Sequence, residues 1–360
     1  MGLTERSMSD RQFPRTAIVL FNLGGPDRPE AVRPFLKNLF TDPAILRVPF
    51  FIRPFLARWI ARARTGPASA NYALMGGKSP LLPLTQRQAS ALAAWFPEES
   101  CRVFIAMRYW HPFSAETARA VAAWKPERVL LLPLYPQFST TTTASSLTAW
   151  REAAARAGLI AEVTTLCCWA EDPGYIKATA ALVAKTLAKA RTEISPGTPL
   201  RLLFSAHGLP EVIVKGGDPY QAQVEATARA VAAILADKNL DWLVCYQSRA
   251  TPQKWLEPST EVEIERAGRE GVALVVAPIA FVSEHSETLV ELDIEYGELA
   301  KNCGVPAYFR VPAQNDDPGF IAALADIARG ALKQGFGLCS HQGGRICAAQ
   351  HQDCPFGTRP

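Results

Sequence analysis

Short apolar, β-branched runs recur along the chain, each broken by Gly, Pro or a polar cluster. Runs of this kind read as strands buried on both faces of a parallel sheet. Four predicted strands, 17–23, 102–107, 128–134 and 161–167, lie in the first half of the chain. Four more, 200–205, 241–246, 272–279 and 306–311, lie in the second. Between them run Ala-rich segments with helical period, among them 114–124, 147–157, 175–191 and 220–238. Strands alternating with helices predict βαβ units with right-handed crossovers and a sheet covered on both faces.

The two halves repeat each other weakly. VLFNLGG opens one and LLFSAHG the other, and VLLLPLYPQFS is paralleled by ALVVAPIAFVS. The expected fold class is α/β, with two similar doubly wound lobes, each built on a four-stranded parallel sheet, facing across a cleft. Chance reuse of buried-strand vocabulary is the alternative. A length of 360 residues suits about two domains of roughly 150 residues each. The expected division is a polar tail over 1–15, a first lobe over 16–174, a second lobe over 175–318, a helix returning to the body over 319–338, and a cysteine-bearing extension over 339–360.

Ligands in open α/β sheets bind beyond the carboxyl ends of the strands, so the residues there are the candidates for chemistry. Arg108, Tyr109, Trp110 and His111 follow the second strand, and His207 follows the fifth. Ser283-Glu284-His285-Ser286-Glu287 follows the seventh. A strand-end histidine before a Gly turn can present an imidazole that titrates near working pH. A structural histidine bonded to a loop carbonyl fits His207 equally well at this point. Glu287, Glu291 and Glu295 recur at four-residue steps, which on a helix lines them along one face, with Leu289 and Leu292 opposite. Confined carboxylates raise one another's pKa and favour proton exchange. With His285 beside them they suit a first-row metal held transiently. A solvated acidic stripe is the plain alternative.

Composition narrows the setting. An apolar fraction of 48% and a charged fraction of 20% are ordinary for a globular chain. A net charge of +4 is too mild to make nucleic acid the expected partner. Residues 1–15 lack the apolar core of a secretory signal, so the expected location is cytoplasmic. From Pro43 to Pro97 there is no acidic residue. Within this stretch a lip over 43–66 sets Arg47, Arg53, Arg58, Arg62 and Arg64 among Phe50, Phe51, Phe55, Leu56, Trp59 and Ile60. Such a surface suits a membrane or a flat hydrophobic anion; a helix covering the core is the alternative. Three of the eight cysteines, Cys339, Cys347 and Cys354, fall in the last 22 residues. In a cytoplasmic chain these read as thiols or metal ligands rather than disulfides.

Seven motifs in order resemble those of the ferrochelatases, lyases of haem and porphyrin biosynthesis that insert ferrous iron into protoporphyrin IX. They are Asn22-Leu23-Gly24-Gly25-Pro26, Gly76-Gly77-Lys78-Ser79-Pro80, Arg108-Tyr109, Pro133 through Ser139, Ser205-Ala206-His207-Gly208-Leu209-Pro210, Tyr246-Gln247-Ser248-Arg249, and Ser283 through Tyr296. The resemblance spans about 17–312 and implies two Rossmann-like lobes around a cleft. It implies that His207 accepts the pyrrole protons, with Glu287 as its acidic partner relaying them. His207, Glu287, His285, Glu291 and Glu295 fall on the path of the substrate Fe²⁺ or of protons, on a helix that is partly a π-helix. Arg108 and Tyr109 take the opposite face of the porphyrin, and Tyr72, Ser79 and Trp255 its rim and propionates. The 43–66 lip becomes a peripheral membrane contact, and both monomers and homodimers fit. Leu23 replaces the Met or Tyr of certain relatives, which leaves the side of iron delivery open. A coproporphyrin or cobalt chelatase and a non-catalytic tetrapyrrole-binding protein are the competing functions.

Some ferrochelatases carry a [2Fe–2S] cluster held partly by C-terminal cysteines. The resemblance implies Cys339, Cys347 and Cys354 as ligands here, with Cys167 or Cys168 as the fourth. A zinc site using His341 or His351, and a ligand-free tail, are the alternatives. Metal insertion involves no net electron transfer, so such a cluster is structural or regulatory.

Overall fold

The computed structural model describes residues 14–249 and 253–357. Most of the expected 1–15 tail, and the last three residues of the 339–360 extension, lie outside them. In chain order the strands are β1 (Thr16–Asn22), β2 (Cys101–Met107), β3 (Arg128–Pro133), β4 (Glu162–Leu166), β5 (Leu200–His207), β6 (Asp241–Gln247), β7 (Ala273–Pro278), β8 (Tyr308–Arg310) and β9 (Gly337–Cys339). They form two parallel sheets, ordered β2-β1-β3-β4-β9 and β6-β5-β7-β8. The first four strands of one sheet repeat the order of the other, as the paired sequence motifs anticipate. β1 and β7 are buried along their whole length, which is why they carry continuous apolar runs rather than alternation.

In each sheet the strand order reverses beside the first strand, between β1 and β3 in one lobe and between β5 and β7 in the other. A crevice opens at such a switch point. Asn22 and Leu134 therefore border one crevice, and His207 and Ile279 the other.

The helix Pro173–Glu193 connects the lobes. Asp172 caps it by accepting from the Tyr175 amide, and it packs on the helices Tyr220–Leu235 and Pro318–Gln334. A polar seam adds to this apolar joint. Tyr175 donates from its hydroxyl to the Ile279 carbonyl at 3.0 Å, and the Gln137 amide donates to Thr227 Oγ1 at 3.0 Å. The fully buried Asp218 carboxylate accepts from the Thr140 amide at 2.7 Å and the Ser139 hydroxyl at 3.0 Å.

The first sheet has five strands where the sequence pattern indicates four. The C-terminal helix stops at Gln334, short of the expected 338, because Gly335 turns to φ +88. The chain then extends along the open edge of β4. An unpaired edge is a row of unsatisfied amides and carbonyls, and three residues are enough to cover this one. No helix among the described residues is long and apolar enough to cross a membrane.

Candidate active site

His207 ends β5, where its neighbour across the register is Gln247 on β6. The turn after it needs a glycine. A Cβ at Gly208 would lie 3.0 Å from the Gln247 carbonyl oxygen and 3.2 Å from the Trp255 ring. The Trp255 ring stands edge-on to the imidazole, with centroids 6.4 Å apart. Tyr220 donates from its hydroxyl to the His207 carbonyl at 3.0 Å, anchoring the backbone beneath the ring.

Glu287 begins a π-helix, Glu287–Glu295, that follows the loop after β7. Its Oε2 lies 2.9 Å from His207 Nδ1 and 3.8 Å from His285 Nε2. Burial disfavours the imidazolium of His207, but the adjoining Glu287 carboxylate outweighs it and raises the pKa above the ordinary histidine value. Burial also opposes ionisation of Glu287, yet His207 and then His285 hold its pKa far below the carboxylate range. Glu291 moves the other way: burial, then the charge of Glu287, raise it. Two carboxylates one turn apart are thus pushed in opposite directions, a pattern that separates an ion from a proton carrier.

Gln247 and Ser248, marked in the sequence only as part of the motif that ends β6 and given no role there, organise the helix. The Gln247 amide donates to Glu291 Oε2 at 3.1 Å and to the Glu287 carbonyl at 3.3 Å. The Ser248 hydroxyl donates to the same Glu291 oxygen, and Tyr296 donates to Glu291 Oε1 at 3.1 Å. The motif marks Gln247, and the alignment of β6 with β5, which sets it opposite His207, supplies its role. Glu295 stands apart, exposed at the far end of the π-helix, where it accepts from Asn71 at 3.4 Å. His285 is buried, with Nδ1 lacking a hydrogen-bond partner.

Tyr72 and Ser79 meet the site through the first glycine motif. A Cβ at Gly25 would lie 2.5 Å from Ser79 Oγ and 4.0 Å from the Tyr72 hydroxyl. Burial pushes the Tyr72 phenol up to about 12, against the contact with Ser286, and Glu287 adds to the shift. Arg108 and Tyr109 form a different cluster. Both donate to Asp42 Oδ2, at 2.7 and 2.8 Å, as does Ser145. Tyr109 is buried and its hydroxyl is committed to Asp42. Asp42 was not predicted either; nothing local marks it, because its partners lie 66 to 103 residues away in sequence.

The lip presents its aromatic side chains to solvent. Phe50, Phe55 and Trp59 are 79, 76 and 68% exposed, on a turn and the helix Arg53–Leu74 that follows it.

Five cysteines gather where β4 and β9 end. Cys167 donates its amide to the Cys339 carbonyl at 2.8 Å, and its Sγ lies 3.4 Å from that of Cys168. Cys347 and Cys354 form a second interacting pair, in which the Cys347 thiol, followed by the Phe356 amide, holds Cys354 down to about 6. His341 is half-buried, and neither ring nitrogen has a hydrogen-bond partner. Among the described residues, no three His, Cys, Asp or Glu side chains converge as a ready site for one metal ion.

Comparison with known proteins agrees with this architecture. The ferrochelatase family model matches residues 15–332. Ferrochelatases of Caulobacter vibrioides and Phenylobacterium zucineum are each 53% identical, over 95 and 94% of this chain and 97% of each relative. That of Hyphomonas neptunium is 48% identical over 95% of this chain and 94% of its own length. Among solved structures, SirB from Bacillus subtilis with Fe³⁺ shares the fold, with a TM-score of 0.50 at 11% identity, covering 88% of this chain and 95% of that one. With a family model spanning both lobes and relatives this similar over nearly the whole length, the chain belongs to the ferrochelatase family.

Proposed function

We propose that this protein inserts ferrous iron into protoporphyrin IX to form protohaem, with His207 as the pyrrole proton acceptor and Glu287 as its partner. The observation that carries this reading is the 2.9 Å contact between the His207 imidazole and the Glu287 carboxylate at the β5–β7 switch point. The reaction exchanges two pyrrole N–H protons for one Fe²⁺, so a base must stand over the ring. A pocket that favours a buckled macrocycle spends binding energy on exposing the nitrogen lone pairs.

The opposed pKa shifts refine the division of labour. Glu287 stays ionised and steadies the imidazolium, so it is a poor proton relay. Glu291, raised by burial and by Glu287, is the better group to carry protons onward, and Glu295 stands at the solvent end of the same helix. His285, Glu291 and Glu295 serve the path of iron or protons. A weakly held metal suits a cargo that must be released into the ring. Tyr72, Ser79 and Trp255 line the porphyrin pocket. Arg108 faces the ring from the other wall, and Tyr109 acts by holding Asp42 in place.

The cysteine cluster fits a [2Fe–2S] group better than a single zinc ion. Each iron of such a cluster takes two thiolates; Cys347 and Cys354 interact as one pair, and Cys339 lies beside Cys167 and Cys168 where β9 meets β4. Cys339, Cys347 and Cys354 would hold it together with Cys167 or Cys168. When bound it would tie the tail to the first lobe, as a structural or regulatory element. The exposed aromatic lip supports peripheral contact with a membrane from the cytoplasmic side.

The test is an anaerobic assay with Fe²⁺ and either protoporphyrin or coproporphyrin. The proposal expects protohaem formation with protoporphyrin preferred. Faster turnover of coproporphyrin would replace the substrate, and porphyrin binding without metallation would overturn the enzymatic reading.

A further inference from the structure

We infer that Gln223 is a positioning residue for the cysteine cluster, donating a hydrogen bond to the Cys347 sulfur and thereby setting how readily a bound [2Fe–2S] group is reduced. The inference rests on the cluster reading above. Gln223 is buried on the first turn of the helix Tyr220–Leu235. Its Oε1 accepts from the Phe138 amide at 2.7 Å, and its Nε2 lies 3.1 Å from Cys347 Sγ. The orientation of the side-chain amide is determined by its partners. The Phe138 N–H can only donate, so the oxygen must face it and the NH₂ must face the sulfur.

A cluster-bound thiolate gains negative charge when the cluster takes an electron. A donor aimed at that sulfur stabilises the reduced form, and hydrogen bonds of this kind tune iron–sulfur potentials. Gln223 also has a structural reach. It shares a helix face with Tyr220, three residues earlier, whose hydroxyl holds the His207 carbonyl. One face of this helix therefore touches the cysteine tail, the strand-end segment after β3 and the backbone of the active-site histidine.

The test compares the full-length protein with Gln223→Leu, Gln223→Glu and Thr227→Val. Gln223→Glu keeps an oxygen for the Phe138 amide and, when ionised, replaces the donor to sulfur by a negative charge that also disfavours reduction; Gln223→Leu removes the donor without adding charge. Thr227→Val, one turn further along the same helix, removes the bonds of that hydroxyl with Gln137 and with the Ala170 and Gln223 carbonyls while leaving the Gln223 side chain and Cys347 in place. Circular dichroism checks that each variant folds. Mediated dithionite titration under anaerobic conditions, followed by visible absorption, reports the one-electron reduction of the cluster. At fixed potential the reduced-to-oxidised ratio should fall about tenfold in both Gln223 variants, equivalent to about 59 mV for one electron, and stay at the wild-type value in Thr227→Val. Loss of the visible bands from both folded Gln223 variants, with Thr227→Val retaining them, would overturn the tuning role, because Gln223 would then act on assembly of the cluster rather than on its reduction. Wild-type potentials in Gln223→Leu and Gln223→Glu would overturn it while leaving the cluster in place. Wild-type protein without visible charge-transfer bands would overturn the cluster reading and the inference with it.

Discussion

Replacing Asp42 by Ala should destabilise the first lobe and do so through one identifiable network. The carboxylate is 3% exposed and accepts from Arg108 at 2.7 Å, Tyr109 at 2.8 Å and the Ser145 hydroxyl, while its other oxygen caps the Ala44 amide at 2.8 Å. Removing one partner of a buried ion pair costs about 3–5 kcal/mol. Arg108 is 22% exposed and can turn to water, which argues for the low end, about 3 kcal/mol. For a unit of 150–250 residues each kcal/mol moves Tm by about 2–4 °C, so Asp42→Ala should melt about 6–12 °C lower. Tyr109→Phe removes one donor and should cost about 1 kcal/mol, or about 2–4 °C. The same change made in the Asp42→Ala background should cost almost nothing, because the acceptor has gone. Differential scanning calorimetry of the four proteins reads both quantities. An Asp42→Ala Tm within about 2 °C of wild type, or a Tyr109→Phe loss that is equal in both backgrounds, would refute the network.

Other changes test other parts of the account. Glu287 raises the pKa of His207, and only the neutral imidazole can accept a proton. In Glu287→Gln, burial lowers that pKa and only the weaker pull of Glu291 still raises it, so the acid limb of kcat/KM should move to lower pH, while kcat falls by about 10²-fold or more; an unmoved limb counts against the pairing. Gly25→Ala places a methyl 2.5 Å from Ser79 Oγ and 2.6 Å from its Cβ. Overpacking of about 1–3 kcal/mol should raise the porphyrin KM roughly tenfold; an unchanged KM would count against Ser79 lining the pocket. Serine at Phe50, Phe55 and Trp59 together should weaken cosedimentation with anionic vesicles more than tenfold; unchanged partitioning would count against a membrane-facing lip.

Much of the fold is legible in the sequence because buried parallel strands write themselves as uninterrupted apolar runs. All eight anticipated strands are present within a few residues of their expected bounds, and the repeated motifs correspond to the repeated strand order. β9 escaped notice because three residues are too few to show a pattern and its partner is distant in sequence. The helix stop at Gly335 was there to read, but Lys333, Gln334 and Phe336 around it continue a helical composition. Within the site, His207, Glu287 and Glu291 stand out by residue type and spacing. Gln247 is marked only as part of a motif and Asp42 not at all, since their roles lie in register and long-range contact. The direction of the carboxylate shifts was equally hidden: spacing reveals that Glu287 and Glu291 are neighbours, while only the histidines packed against Glu287 decide which of them keeps its charge.

The central claim is that His207 removes the pyrrole protons. The most direct measurement is the anaerobic rate of protohaem formation by His207→Ala, together with its affinity for protoporphyrin by fluorescence quenching. Loss of a general base predicts a fall in kcat of about 10²–10⁴-fold with porphyrin affinity close to wild type. A variant that forms protohaem at the wild-type rate would contradict the account.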